Sequence, residues 1–191
     1  MLSMQSLVAK RDDQGVFQPL DLTLEAGQAV EVVGANGAGK TTMLRVLAGL
    51  HSQYSGAFEI GAFLYQGHRL ALDARQNGVS NLRWHSALHG LASDDAAIRD
   101  VLARVGILSV GFRLTGQLSQ GQQRRLAMAR WLLVEKPIWL LDEPLTALDQ
   151  SGQALLAQLI NEKVSQGGVV VYSTHLPMPI DAKQTLNIEA V

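Results

Sequence analysis

The sequence predicts an α/β fold with a mostly parallel core sheet that is interrupted by a helical insert. Three short apolar runs, residues 29–33, 138–141 and 168–172, are typical of strands that are buried on both faces. Helical patterns separate these runs, and strands that alternate with helices form parallel sheets with right-handed crossovers. The character of the chain is predominantly helical over about 70–135, which places the insert there.

The composition fits one globular domain and excludes several kinds of site. With 191 residues, of which 47% are hydrophobic and 17% charged, the chain can bury a core of its own. The 16 basic and 17 acidic residues are well mixed, which argues against a nucleic-acid-binding protein with a basic face. The absence of cysteine excludes disulfides and thiolate metal sites. The five histidines are scattered, without the close pairing of a zinc site.

The sequence contains no pattern for direct insertion into a membrane. No apolar run approaches the roughly 18 residues that cross a bilayer, and the N-terminus lacks the features of a signal peptide. We therefore expect a cytoplasmic protein whose membrane role, if it has one, depends on a partner.

The N-terminal third reads as strands, a glycine-rich loop and one helix. Leucines alternate with polar residues over 20–25, so residues 1–33 are predicted to be short strands. A helix is predicted over about 40–49, and a brief strand pair over 56–65. The apolar residues spaced for one buried face of that helix are Met43, Leu44, Leu47 and Leu50.

The insert and the region after it contain three further helical patterns. Ser93 is the predicted N-cap of the first, and Gly106 closes it. The second covers about 120–134 and ends before Pro137, and the third covers about 152–164. The apolar face of the first is formed by Ile98, Val101, Leu102 and Val105.

A glycine-rich loop between the first apolar run and the first helix has the P-loop pattern G-x-x-x-x-G-K-[ST]. Such a loop turns successive backbone N–H groups and a helix N-terminus towards phosphate oxygens. We expect Lys40 to contact the β- and γ-phosphates of ATP, Thr41 to hold Mg²⁺ and Thr42 to contact the α-phosphate. The remaining nucleotide-binding residues of the loop are Gly34, Ala35, Asn36, Gly37, Ala38 and Gly39.

Two carboxylates follow the second apolar run. Asp142 ends this strand and is a candidate ligand of Mg²⁺, while Glu143 beside it is a candidate base for the water that attacks the γ-phosphate. An acidic pair at a strand end can also be merely solvated. Its combination with the P-loop makes the catalytic interpretation the better one.

The segment Leu118-Ser119-Gln120-Gly121-Gln122 resembles the signature loop L-S-G-G-Q of ABC transporter nucleotide-binding domains, with Gln120 in place of the first glycine. The resemblance implies that Ser119, Gly121 and Gln122 contact the ATP that the opposite subunit holds. Ser119 would serve as an ordinary helix cap in any case. Its position about twenty residues before Asp142 is where the family places the signature.

Two more segments resemble motifs of the same family. Residues 146–149, Thr-Ala-Leu-Asp, resemble the D-loop, and residues 173–175, Ser-Thr-His, resemble the loop of the switch histidine. The resemblance implies that His175 bonds the γ-phosphate and helps to hold Glu143 and the attacking water.

The resemblance covers nearly the whole chain and implies a P-loop NTPase fold of the ABC type. It implies one ATP-binding domain over 1–191, with a core of about 1–68 and 136–191, an N-terminal antiparallel β part and a helical subdomain of about 69–135. It also implies a homodimer that encloses ATP between its two copies, and an integral membrane permease as partner. The expected location is peripheral, at the cytoplasmic face of the bacterial inner membrane.

The sequence departs from the family pattern in three places. Counting back from Ser80-Asn81-Leu82, which resembles the helix start E-N-L, places His68 rather than Gln66 where a glutamine usually contacts Mg²⁺, and both remain candidates. The aromatic residue that usually stacks on adenine is absent, and Arg11 is at about its place, with Phe17 nearby. The short stretch before His68 predicts a trimmed β-hairpin.

Secondary features are similar to the ATP-binding subunits of cytochrome c biogenesis (haem exporter) systems. This resemblance implies an ATP hydrolase that powers haem delivery for cytochrome c assembly. The alternatives are an ABC exporter for another substrate and a soluble ABC protein of the DNA-repair or translation type, although the long inserts of the latter are absent. The features are Gly67-His68, Asn81-Leu-Arg-Trp, Ala87-Leu-His-Gly90, Gln122-Gln-Arg-Arg125 and Trp139-Leu-Leu-Asp-Glu-Pro-Leu-Thr-Ala147.

Overall fold

A computed structural model describes residues 1–180 and 183–191 of the chain. The strands are β1 (Leu2–Arg11), β2 (Gln14–Gly15), β3 (Leu20–Leu24), β4 (Ala29–Val33), β5 (Tyr54–Ile60), β6 (Phe63–Gln66), β7 (Ile138–Leu141), β8 (Val169–Ser173) and β9 (Lys183–Asn187). The helices are α1 (Lys40–Leu47), α2 (Gly78–Leu88), α3 (Asp95–Arg104), α4 (Gln120–Leu133) and α5 (Gln150–Ser165), with a 3₁₀ helix at Thr115–Gln117.

The core sheet has the order β6-β7-β8-β4-β9, and all its neighbouring strands are parallel. Every residue of β7 and of β8 is buried, as their unbroken apolar composition predicts for strands covered on both faces. The predicted α/β fold is therefore confirmed. Strand β9 was not predicted because its residues alternate little in hydrophobicity, and only its pairing with β4 defines it.

A second, antiparallel sheet contains the N-terminal strands β2, β1 and β3, and β5 also pairs with β1. The predicted strand pair over residues 56–65, and with it the trimmed hairpin, is wrong. β5 and β6 are neighbours along the chain, but β5 pairs with β1 whereas β6 pairs with β7 in the core sheet. Local pattern indicates two strands, but it does not specify their partners.

The described residues form two compact units. The first contains residues 1–68, 137–144 and 157–191, and the second contains 69–136 and 145–156. Both sheets and helix α1 lie in the first unit, and helices α2, α3 and α4 lie in the second. No helix of the described residues combines the length and the apolar character that a bilayer crossing requires.

Helix α1 buries one face in the core of the first unit, where Met43, Leu44 and Leu47 are almost fully enclosed. Leu50, which was predicted to extend this face, is 64% exposed. The prediction is wrong because the helix ends at Leu47 and the chain reverses at Gly49, whose φ is 69°.

Helix α3 begins one residue later than its predicted cap implies. Asp94 is the N-cap, and its carboxylate accepts a hydrogen bond of 2.7 Å from the backbone N–H of Ala97. The hydroxyl of Ser93 instead donates to the hydroxyl of Ser86, at 2.8 Å. Gly106, with φ 73°, follows the helix end, as predicted.

The cap of α3 can be tested by substitution. We expect Asp94→Ala to lower the free energy of unfolding by about 1 kcal/mol, because the N–H of Ala97 loses its acceptor. Asp94→Asn keeps an acceptor at the same place and should stay close to the wild type. Urea unfolding of the full chain measures both, and equal stability of the two variants would contradict the assignment of the cap.

Candidate active site

The glycine-rich loop leads from β4 into α1, and the rest of the first unit packs closely against its first and last glycines. A Cβ at Gly34 would lie 2.4 Å from the carbonyl oxygen of Ile188, and a Cβ at Gly39 would lie 2.6 Å from Cδ1 of Phe17. Gly39 also has a φ of 106°, which strains any other residue. Both glycines are therefore required by the close approach of the neighbouring chain.

Lys40 opens helix α1 and folds back across the loop. Its Nζ donates to the carbonyl oxygens of Gly34, at 2.7 Å, and Ala35, at 2.9 Å, and the residue is 6% exposed. An ammonium has three hydrogens to donate, so one remains for a ligand. A fixed cation beside the N-terminus of a helix favours an anion, and a phosphate chain fits this arrangement.

Thr41 and Asp142 are 101 residues apart in sequence, and the fold brings them together. Thr41 Oγ1 lies 3.0 Å from each carboxylate oxygen of Asp142, which is 1% exposed at the end of β7. Hydroxyl and carboxylate oxygens are the ligands that Mg²⁺ prefers. The two residues predicted to hold the metal thus lie side by side, although their role as ligands stays a prediction.

Ser173 links the carboxylate of Asp142 to the backbone of Glu143, a role that the sequence did not reveal. Its hydroxyl donates to Oδ1 of Asp142, at 2.9 Å, and accepts from the backbone N–H of Glu143, at 2.8 Å. Ser173 was noticed only as part of the segment that contains His175. Its position at the end of β8, the strand beside β7, is the feature that could have indicated its contact with Asp142.

Glu143 and His175 face each other on the exposed side of this site. Nε2 of His175 lies 3.6 Å from Oε1 of Glu143, and the two side chains are 42% and 34% exposed. The backbone of Glu143 has a φ of 47°, which is uncommon for a residue other than glycine. The predicted pair is therefore close in space, and solvent can reach its carboxylate.

The geometry favours Gln66 over His68 as the neighbour of the metal position. Gln66 ends β6, is 3% exposed, and its carbonyl oxygen accepts from the N–H of Asp142, at 2.8 Å. His68 lies two residues past the end of the strand and is exposed. Which of the two side chains contacts Mg²⁺ stays a prediction.

Phe17, which lies near the place of the missing adenine-stacking aromatic residue, does not replace it. Phe17 is fully buried and packs against the P-loop at Gly39, so its ring has no free face for a base. Arg11, at the end of β1, is exposed and remains the candidate.

The described residues contain no group of three or more histidine, aspartate and glutamate side chains that could hold a metal. His85 and His89 are nevertheless closer than the scattered sequence positions suggested, with ring centroids 4.9 Å apart. Burial, with the charges of Arg130 and His89, lowers the pKa of His85 to about 4.

In the second unit, Ser119 caps helix α4 through a capping box. Its hydroxyl accepts from the N–H of Gln122, at 3.2 Å, while the side chain of Gln122 accepts from the N–H of Ser119, at 3.0 Å. A hydroxyl that accepts one bond still has its own hydrogen to donate. The ordinary cap and the predicted contact with a phosphate are thus compatible.

Two arginines of α4 form hydrogen bonds to residues 145–149. Arg124 donates to the carbonyl oxygen of Thr146, at 3.2 Å, and Arg125 donates to the carboxylate of Asp149, also at 3.2 Å. The N–H of Gly152, the hydroxyl of Ser151 and then Arg125 lower the pKa of Asp149. A cleft of about 570 Å³ lies beside these residues, and its wall includes Ser119, Gly121, Gln122, Arg125, Ala147 and Asp149.

Comparison with known proteins places these features in one family. The family described as ABC transporter matches residues 17–146 of the chain. The cytochrome c biogenesis ATP-binding export protein CcmA of Vibrio cholerae serotype O1 is 39% identical, over 95% of this chain and 94% of that protein. The protein of the same name from Saccharophagus degradans is 35% identical, over 97% and 92%.

A solved structure has the same fold. An ABC transporter ATP-binding protein from Pyrococcus furiosus superposes with a TM-score of 0.85 and 25% identity, and the match covers 97% of this chain and 96% of that one.

The link through Ser173 leads to a prediction on turnover. We expect Ser173→Ala to lower the rate of ATP hydrolysis on the order of tenfold, because the carboxylate of Asp142 loses a hydrogen-bond donor and the backbone N–H of Glu143 loses the acceptor that holds it in place. Steady-state release of phosphate measures the effect. The buried Ser86, which bonds Ser93 instead, provides the control variant Ser86→Ala. Unchanged turnover of Ser173→Ala would contradict a role for this hydroxyl.

Proposed function

The chain belongs to the ABC transporter family, in the group of cytochrome c biogenesis ATP-binding export proteins, and we propose that it powers haem delivery for cytochrome c assembly. It is an ATP-binding and ATP-hydrolysing subunit of a transporter, and such subunits work with a membrane permease. The proposal of haem rests on similarity over almost the whole length of relatives that carry this name.

One observation supports the hydrolytic function above the others. The candidate residues all belong to the first unit and follow its parallel strands or their connecting loop. They are the cation Lys40, the pair of Thr41 and Asp142, and the pair of Glu143 and His175. Ligands of parallel α/β sheets bind at the carboxyl ends of the strands. A triphosphate bound there would meet a cation, a metal position and a candidate base.

The proposed reaction is the attack of water on the γ-phosphorus of ATP. Lys40 binds the β- and γ-phosphates, and backbone N–H groups of residues 34–42 bind the remaining oxygens. Glu143 accepts a proton from the attacking water while the bond between the γ-phosphorus and the β–γ bridging oxygen breaks, which gives ADP and inorganic phosphate. His175 holds the carboxylate of Glu143 and the γ-phosphate in place.

The site fits a magnesium ion. The hydroxyl of Thr41 and the carboxylate of Asp142 would hold it, with the side chain of Gln66 or His68 nearby. When bound, Mg²⁺ neutralises charge on the phosphate oxygens.

A second copy of the chain completes the site in this proposal. Ser119, Gly121 and Gln122 of one copy contact the γ-phosphate that the P-loop of the other copy holds, so two ATP molecules are shared by a homodimer. A ligand bound across an interface stabilises the associated state by mass action. The dimer would act from the cytoplasmic face of the bacterial inner membrane, on a permease, without contact with nucleic acid.

Glu143→Gln tests the proposed base. The variant should bind ATP and form a stable dimer with it, but hydrolyse it on the order of 10²–10⁴-fold more slowly, since the amide accepts no proton. Lys40→Ala is the matched variant that should lose nucleotide binding instead. Phosphate release, nucleotide titration and size-exclusion chromatography with ATP measure these effects. Near-normal turnover of Glu143→Gln would refute the assigned role.

Complementation in cells tests the haem proposal. Deletion of this chain from its source organism should abolish covalent attachment of haem to c-type cytochromes, seen as loss of haem-peroxidase staining on denaturing gels. The wild type should restore staining, Glu143→Gln should not, and the chain should co-purify with an integral membrane protein from detergent-solubilised membranes. Normal haem attachment in the deletion strain would favour an exporter of another substrate.

A further inference from the structure

Within the second unit, residues 73–77 are bonded directly to the chain that leads into the Ser119 loop. The N–H of Thr115 donates to the carbonyl oxygen of Gln76, at 2.8 Å, and the N–H of Gly116 donates to that of Ala74, at 2.9 Å. A Cβ at Gly116 would lie 3.0 Å from the same oxygen of Ala74, so the two segments touch along their backbones. They are held as one piece.

Asn81, on helix α2, joins the two segments with its side chain. The residue is 4% exposed, and its Oδ1 accepts from the N–H of Asp73, at 2.8 Å. Its Nδ2 lies within hydrogen-bonding distance of the carbonyl oxygens of Asp73 (3.1 Å), Gln76 (3.4 Å) and Asn77 (3.0 Å) and of Oγ1 of Thr115 (3.1 Å). Both polar atoms of the Asn81 amide are therefore bonded, the nitrogen to groups of both segments.

The bonds continue from Thr115 to the Ser119 loop itself. Thr115 is 1% exposed, and its carbonyl oxygen accepts from Nε2 of Gln123, at 3.1 Å. The same nitrogen donates to the carbonyl oxygen of Leu118, also at 3.1 Å. Leu118 immediately precedes Ser119, so hydrogen bonds that pass through the backbone of Thr115 and the side chain of Gln123 connect Asn81 to the residue before the cap of α4.

The hydrogen-bond network matters for the site because of where residues 73–77 lie along the chain. They follow Gln66 and His68, the two candidates for the contact with the metal. The segment that Asn81 holds begins at Asp73, five residues after His68 along the chain. Because buried amides are costly to leave unpaired, the segment and the Ser119 loop are expected to move together rather than separately.

We propose that Asn81 is a positioning residue for ATP hydrolysis, which acts through Thr115 and Gln123 to fix the Ser119 loop to residues 73–77. It does not touch the nucleotide. The proposal rests on the proposed function, because it needs the Ser119 loop to contact the ATP of a second copy. Its effect is on the placement of that loop, and the binding of ATP to the P-loop of the same copy is independent of it.

Thr115→Val tests the network with a side chain of nearly the same shape. The variant keeps the backbone bonds of Thr115 but removes the hydroxyl that accepts from Asn81. We expect kcat to fall about tenfold, the scale of one lost hydrogen bond, and the affinity of the monomer for ATP to stay unchanged. Thr115→Ser retains the hydroxyl and should restore the wild-type kcat. In the Glu143→Gln background, Thr115→Val should weaken ATP-dependent dimerisation by a similar factor.

A second variant distinguishes a loss of stability from a loss of loop positioning. Asp94→Ala removes a helix cap in the same unit, and Asp94 makes no bond to Asn81 or Thr115 in the described residues. If Asp94→Ala, at a comparable drop in melting temperature, lowers kcat and dimerisation as much as Thr115→Val does, the effect is one of stability and the proposal is wrong. A wild-type kcat for Thr115→Val would overturn it as well.

Failure of the proposed function gives a different pattern. If Glu143→Gln hydrolyses ATP at the wild-type rate, or if ATP leaves the wild type monomeric and fully active, the shared site itself is wrong. If those controls behave as expected and only Thr115→Val is without effect, the shared site stands and the role of Asn81 alone is refuted.

Discussion

The buried carboxylate of Asp142 is the constraint on which the first unit depends. A carboxylate that is 1% exposed is costly to bury unless several groups bond it. Here the hydroxyls of Thr41 and Ser173 supply those bonds, from the first turn of α1 and from the end of β8. The same bonds place the start of α1 beside two strand ends. The position for a cation and the local fold are therefore consequences of a single set of contacts.

Much of this site could be predicted because its residues are read from short, local patterns. The P-loop spacing, the acidic pair after β7 and the serine before α4 each need only a few neighbouring residues. These patterns indicated the fold class as well, since each lies next to a buried strand or opens a helix. Loop residues at the ends of regular elements carry chemistry because the elements hold them in place.

The features that were missed depend on contacts between distant segments. The pairing of β5 with β1 and of β6 with β7 is set by strand register, which the local sequence does not contain. Ser173 is informative only once β8 lies beside β7, and Asn81 only once residues 73–77 meet residues 114–116. The incorrect cap at Ser93 has another cause, because two adjacent residues both suit the position and one of them, Asp94, also carries a charge that favours a helix N-terminus.

The electrostatics of the two units supports the proposal that a nucleotide brings two copies together. Helix α1 presents its N-terminus and Lys40 on one unit, and helix α4 presents its N-terminus and Ser119 on the other. Both ends carry partial positive charge, so they do not attract each other. In the proposed homodimer, a triphosphate between α1 of one copy and α4 of the other would satisfy both sets of donors at once. After cleavage, the γ-phosphate is no longer bonded to the rest of the nucleotide, and nothing covalent then links the donors of one copy to those of the other. In that proposed dimer, association would depend on an intact triphosphate, and a permease attached to the two copies would move when they associate and separate.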